Sequence, residues 1–232
     1  MNPITVSRDR AVVRINEFVR SVYNWMCIGL AITGFTAWYV ANNNAISGMI
    51  SGGMFWVLVI ATLGLVFAIG GMINRMSPGT ATALFVLYSA LMGAMLSSIF
   101  VIYKFESIAS TFFICAGTFL ACSIYGWTTK KDLTSFGGFL MMGLIGIIIA
   151  SLVNIFMVSE MLYAVISYIG VFIFIGLTAY DTQKIKNMAL SQPDGLDGAI
   201  IRKGAILGAL SLYLDFINLF LMLLRIFGQA RD

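Results

Sequence analysis

The chain has 232 residues, of which 60% are hydrophobic and 10% charged, with a formal net charge of +4. Soluble domains carry about 25% charged residues, and a core able to bury this much apolar surface would need a far larger protein around it. Lipid is therefore the expected solvent. The lack of histidine removes imidazole-based zinc sites, Ser–His and Cys–His nucleophiles and haem ligation by imidazole. The basic residues cluster beside apolar runs, which fits membrane topology and argues against a nucleic-acid partner.

Residues 1–20 carry Arg8, Arg10, Arg14 and Arg20 and read as a cytoplasmic tail with the character of an amphipathic interfacial helix, not as a cleavable signal. Residues 21–228 read as an all-α bundle of seven transmembrane helices, because apolar runs of about 20 residues, each able to cross a ~30 Å hydrocarbon layer, recur along the chain. The first covers 21–41 and stops at Asn42-Asn43-Asn44; the second covers 53–73 and stops at a turn containing Pro78-Gly79. The third covers 81–103, the fourth 107–128 and the fifth 136–158, separated by Lys104-Phe105-Glu106 and by Lys130-Lys131-Asp132. The sixth covers 162–180, a polar linker with Pro193 runs over 181–203, and the seventh covers 204–224.

With the N-terminus inside, the inside loops hold eleven of the 14 basic residues, leaving Lys104, Arg225 and Arg231 outside. That asymmetry supports a cytoplasmic N-terminus and an external C-terminus. Arg225 and Arg231 dissent, and fit a re-entrant seventh segment better.

Several features read as packing. Gly204 with Gly208, and more loosely Gly117 with Ala121, are spaced for close helix contact within the bundle. Cys27, Cys115 and Cys122 lie in apolar runs and behave as small buried residues; Met92, Met95, Met141 and Met142 read as core filler. Trp25, Trp38, Trp56 and Trp127 fall towards span ends, as interfacial belts do. Asn154 and Asn218 are expected to bond between helices, and Glu106 and Glu160 to be solvated in outside loops.

Ionisable groups within the spans are the chemically informative ones. Asp215 lies in LYLDFINLF near the middle of the seventh run. A charge at the bilayer centre costs roughly 2.5–3.5 kcal/mol on insertion scales, so Asp215 needs a partner, a water-filled cavity or a proton. Asp181 lies at the end of the sixth run and Arg75 at the end of the second. Taken singly, each also has a structural reading: Asp215 as a packing hydrogen bond, Asp181 as a solvated helix end, Arg75 as an inside-loop cation. Two carboxylates brought close resist simultaneous ionisation and hold one proton between them over a range of pH. Deprotonated, such a pair repels and offers oxygen ligands to a hard cation such as calcium.

The stretches GLTAYDTQKIK (176–186) and ALSLYLDFINLFLMLLRIFG (209–228) resemble the signature segments of the transmembrane Bax inhibitor motif family, and the likeness to its bacterial inner-membrane members runs over nearly the whole chain. The resemblance implies a seven-helix bundle in which Asp181 and Asp215 form a paired-aspartate pH sensor and Arg75 interacts with that pair. It also implies a calcium leak that opens with this latch, and, from some bacterial relatives, a membrane-anchored protease as partner. The second run lacks an interior acidic residue, unlike characterised leak members.

The reading is thus a pH-sensitive calcium leak without cofactor, calcium being the transported ion with Asp181 and Asp215 as its expected ligands. The alternative is an interaction protein that modulates a membrane protease or translocon. An intramembrane aspartyl protease needs GxGD at its second aspartate, whereas Leu212-Tyr213-Leu214 precede Asp215, so no enzymatic activity is expected.

Overall fold

The computed structural model describes residues 3–43, 46, 48, 53–191 and 197–231; Asn44, Pro193 and Asp194 lie outside the described residues, as do the side chains of Arg8, Arg10 and Arg14. The described elements are α1 (Pro3–Ala41), α2 (Phe55–Met72), a 3-10 turn (Ile73–Arg75), α3 (Pro78–Leu96), the short α4 (Ile99–Ile102), α5 (Phe105–Thr128), α6 (Thr134–Met157), α7 (Glu160–Leu190) and α8 (Gly198–Phe227). Among the described residues, β pairing is limited to an isolated antiparallel bridge between Tyr103 and Ala230.

Among the described residues, six helices are long and apolar enough to cross a membrane: α2 with its turn, α3 with α4, and α5 to α8. The helix α1 is not among them. Its apolar half is interrupted by Asn24, Thr33, Thr36 and Tyr39, which dilute its hydropathy. The tail and the first run form a single 39-residue helix.

The expected linker 181–203 is corrected. The helix α7 continues to Leu190 and α8 begins at Gly198, so most of that stretch is helical. Thr182-Gln183-Lys184-Ile185-Lys186 are polar but mostly good helix formers, and helix propagation depends on backbone bonds and propensity, not on hydropathy. At 1.5 Å per residue the 31 residues of α7 reach about 46 Å, beyond a ~30 Å core. Asp197 starts α8 by accepting the Ala199 N–H at 3.0 Å.

The chain divides into two compact units: Met1–Ile102 with Ile185–Tyr213, and Tyr103–Lys184 with Leu214–Asp232. In the first, α1 packs along α3, and α2 also packs on α3. Gly93 permits the closest approach, since a Cβ there would strike the Thr33 backbone. At this seam the buried Thr33 hydroxyl donates to the Ser89 carbonyl at 2.9 Å and lies 2.6 Å from the Tyr213 hydroxyl. The Phe85 and Tyr88 rings meet Tyr213 edge-on. Gly204 and Gly208 pack on Phe18 and Val22, as their spacing predicts. Ser77 caps α3 by accepting the Thr80 N–H at 3.1 Å, with Pro78 as first helical residue. The third run is broken at Ser97-Ser98, whose hydroxyls bond back to the Ala94 and Met95 carbonyls.

In the second unit, α6 is peripheral: 6% of its apolar window is buried, against 72% for α8, so most of the α6 surface faces outward. Met141 and Met142 lie on its exposed face, which corrects their reading as core filler. Gly117 is corrected likewise: a Cβ there meets open space. Asn154 and Asn218 bond locally instead of between helices, to the Ser159 N–H at 3.0 Å and the Leu214 carbonyl at 2.8 Å. Glu106 and Glu160 occupy first turns of α5 and α7, where the helix dipole favours an acid.

The helix α8 runs unbroken to Phe227, and the residues beyond return to the start of α5: the Lys104 N–H donates to the Gln229 carbonyl at 3.0 Å and the Gln229 N–H to the Ser107 hydroxyl at 2.9 Å. The chain end and the 103–107 loop therefore share one end of this unit. Arg225, which favoured a re-entrant segment, sits 4.8 Å above the Tyr163 ring, and this cation–π contact gives it a partner at that end.

Gly126 marks the tightest seam between α5 and α7, because a Cβ there would lie against the Ala179 backbone. Gly126→Leu is expected to lower stability by about 1–3 kcal/mol through overpacking. Gly117→Leu, facing open space, leaves the thermal midpoint in detergent unchanged.

Candidate functional site

Asp215 lies on the most buried helix and Asp181 on α7, both within the second unit. Asp215 is 5% exposed, and its buried Oδ2 has no hydrogen-bond partner among the described residues. Asp181 is half-buried. The two carboxyls are near enough for the charge of Asp181 to act on Asp215, and the Lys184 ammonium, one turn along α7, acts on Asp181. An oxygen left without a donor in a dry interior is costly. A second carboxyl that supplies a proton is one way to relieve it.

Aromatic packing holds the Asp215 turn of α8. The Phe112 and Phe119 rings of α5 meet Phe216 edge-on with centroids 5.5 and 5.4 Å away, and the Cys115 thiol donates weakly to the Phe216 carbonyl at 3.7 Å. The Asp181 turn of α7 is held by polar bonds. Gln183 is buried and bridges the loop before α6, accepting the Leu133 N–H at 2.8 Å and donating to the Lys131 carbonyl at 2.8 Å. The Thr182 hydroxyl reaches the Ser123 hydroxyl of α5 at 3.5 Å. Both carboxyls thus stand on turns fixed to α5 or to the α5–α6 loop.

Arg75 belongs to the first unit, where it is exposed in the 3-10 turn after α2. Among the described residues no three His, Cys, Asp or Glu side chains are grouped to hold a metal ion. Calcium takes 6–8 oxygens, more than the aspartate pair alone supplies.

Gln183, Thr182 and Ser123 escape a reading by charge. The available signal is the run of polar residues that follows Asp181 in a segment otherwise apolar, which marks a helix face needing partners.

A family model described as "Inhibitor of apoptosis-promoting Bax1" matches residues 15–232. The chain belongs to the Bax inhibitor family. Among its relatives, the inner membrane protein YbhL of Escherichia coli strain K12 is 54% identical over 219 residues, covering 94% of this chain and 93% of YbhL. A protein of Borreliella burgdorferi is 49% identical over 234 residues, covering 100% of both chains. A membrane protein of Streptococcus pyogenes serotype M6 is 38% identical over 221 residues, covering 94% of both. Both stretches that carried the resemblance fall inside the Bax inhibitor match, and each contains one aspartate of the pair.

Gln183→Leu leaves the Leu133 N–H and the Lys131 carbonyl without their partner. Unsatisfied groups cost about 1–3 kcal/mol each when buried, so the variant is expected to unfold several degrees earlier in detergent by intrinsic fluorescence, with Gln183→Glu intermediate.

Proposed function

We propose that this chain is a multi-pass inner-membrane protein that leaks calcium through its helix bundle under control of Asp181 and Asp215. The observation that carries this reading is the buried, unbonded Oδ2 of Asp215, with the Asp181 carboxyl of α7 within electrostatic range. A shared proton satisfies that oxygen and ties α7 to α8. Loss of the proton leaves two like charges in a poorly hydrated site; repulsion drives them apart, and a divalent cation then relieves both charges. Lys184 is the cation that tempers Asp181. Arg75 enters through the family resemblance alone. The protein transports and performs no catalysis in this scheme, and it needs no cofactor.

The topology that goes with it has seven spans, with α1 as the first, a cytoplasmic N-terminus and an external C-terminus. The lysine and arginine distribution supports that orientation, as does the shared location of the chain end and the 103–107 loop.

The test is calcium flux into liposomes across pH. Flux through the wild-type protein is expected to rise as the pair deprotonates, whereas Asp215→Asn and Asp181→Asn each flatten the pH response. Unchanged pH-dependent flux in both variants would remove the latch.

The length of α1 favours a second role. Its 39 residues extend to about 58 Å, roughly twice the hydrocarbon thickness, so part of it stands clear of the bilayer as a docking helix. A partner of the kind that fits is a membrane-anchored protease or a translocon. Deleting residues 1–20 is expected to abolish co-purification of a stoichiometric membrane partner while calcium flux persists. Retention of that partner by the truncated protein would rule out the tail as its docking site.

A further inference from the structure

The second unit contains a cavity of about 480 Å³ formed by α5, α6, α7 and the loop between α5 and α6, within the roughly 300–1,000 Å³ of ordinary ligand sites. Its lining is apolar apart from Cys122 and the two tyrosines, Tyr125 and Tyr180. The lining begins at Leu133 in the loop. It reaches Ala121, roughly 10 Å from the end of α5, and Leu140, roughly 9 Å into α6, at 1.5 Å per residue. The cavity thus spans one end of the helices, at the level where headgroups give way to acyl chains. Tyr125 and Phe136 are exposed, and Leu140 is partly so, on the lipid-facing side.

The charge at that end is positive. Lys130 and Lys131 are exposed in the 129–133 loop, three and two positions from cavity-lining Leu133. The intervening Asp132 offsets one of these two charges, so the loop keeps a net charge of +1. Its Oδ1 accepts the Thr134 N–H at 2.9 Å, and hydrogen bonds from Thr134 hold its carboxyl below the usual carboxylate range, so it stays ionised and turned to the first turn of α6 while the two ammonium groups are left exposed. Gln183 clamps the loop through the Lys131 carbonyl and the Leu133 N–H, so the two ammonium groups rise from an anchored backbone.

We infer that this cavity takes one acyl chain of an anionic phospholipid, with the lipid phosphate met by Lys130 and Lys131. A diacyl anionic lipid matches both features: an apolar slot at interfacial depth and a pair of cations at its mouth. A neutral lipid matches only the first.

The test reads binding, not flux, so it stands or falls apart from the aspartate latch. Purified full-length protein is incubated in detergent with equal amounts of phosphatidylglycerol and phosphatidylcholine of identical chains, and retained lipid is counted by native mass spectrometry. The wild type is expected to keep one phosphatidylglycerol in preference to phosphatidylcholine. Lys130→Gln combined with Lys131→Gln should reduce that preference by about tenfold or more, given the usual attraction of juxtamembrane lysines to anionic headgroups. Ala121→Phe, which places a ring in the cavity from an exposed position, should lose the retained lipid with unchanged helical content. Equal retention of both lipids by the wild type, an undiminished preference in the lysine variant, or full retention in a folded Ala121→Phe protein would each overturn the assignment.

Discussion

An acidic side chain without a full set of partners, midway along the most buried helix, is the constraint around which the second unit is arranged. Lipid offers Asp215 nothing, and a lone anion at that depth costs several kcal/mol. The protein answers by burying most of α8, with 72% of its apolar window buried, and by bringing Asp181 of α7 within electrostatic range. The aromatic contacts of Phe112 and Phe119 on Phe216 fix the rotation of α8 at this turn. Thr182 and Gln183 do the same for α7 with polar bonds. The two carboxyls are therefore presented by supports of different chemistry, one apolar and one hydrogen-bonded.

Neighbouring residues of α7 connect this pair to the lipid-facing side. Tyr180 lines the cavity, Asp181 follows it in the chain, and Gln183 clamps the loop that carries Lys130 and Lys131. Gly137 of α6 lies against the Tyr180 ring, close enough that any side chain there would displace it. Within four residues α7 thus contributes to a lipid-exposed slot, an acidic site and a basic loop. Peripheral α6, with 6% of its apolar window buried, forms one side of the slot.

Much of the architecture could be read from hydropathy. Apolar runs of span length in lipid have only one economical backbone solution, the helix, because every N–H and C=O must be satisfied internally. The six candidate spans fall where those runs fall. Hydropathy failed where polar residues continue a helix, as in Thr182 to Leu190 of α7, and where serines interrupt one, as at Ser97-Ser98. It also cannot say which face of an all-apolar helix meets protein: Met141, Met142 and Gly117 look like packing residues in the sequence and are exposed in the structure.

The amino-acid sequence alone determined that this protein lives in lipid, that its backbone is helical, and that Asp181 and Asp215 needed an explanation, since residue chemistry and the cost of burying charge suffice for these. The tertiary structure decided which oxygen of Asp215 lacks a donor, that Gln183 is a clamp, and that α5, α6 and α7 leave a slot beside two lysines. Those facts depend on helix rotation and on contacts between residues distant in the chain, and in helices apolar on every face no periodicity records either.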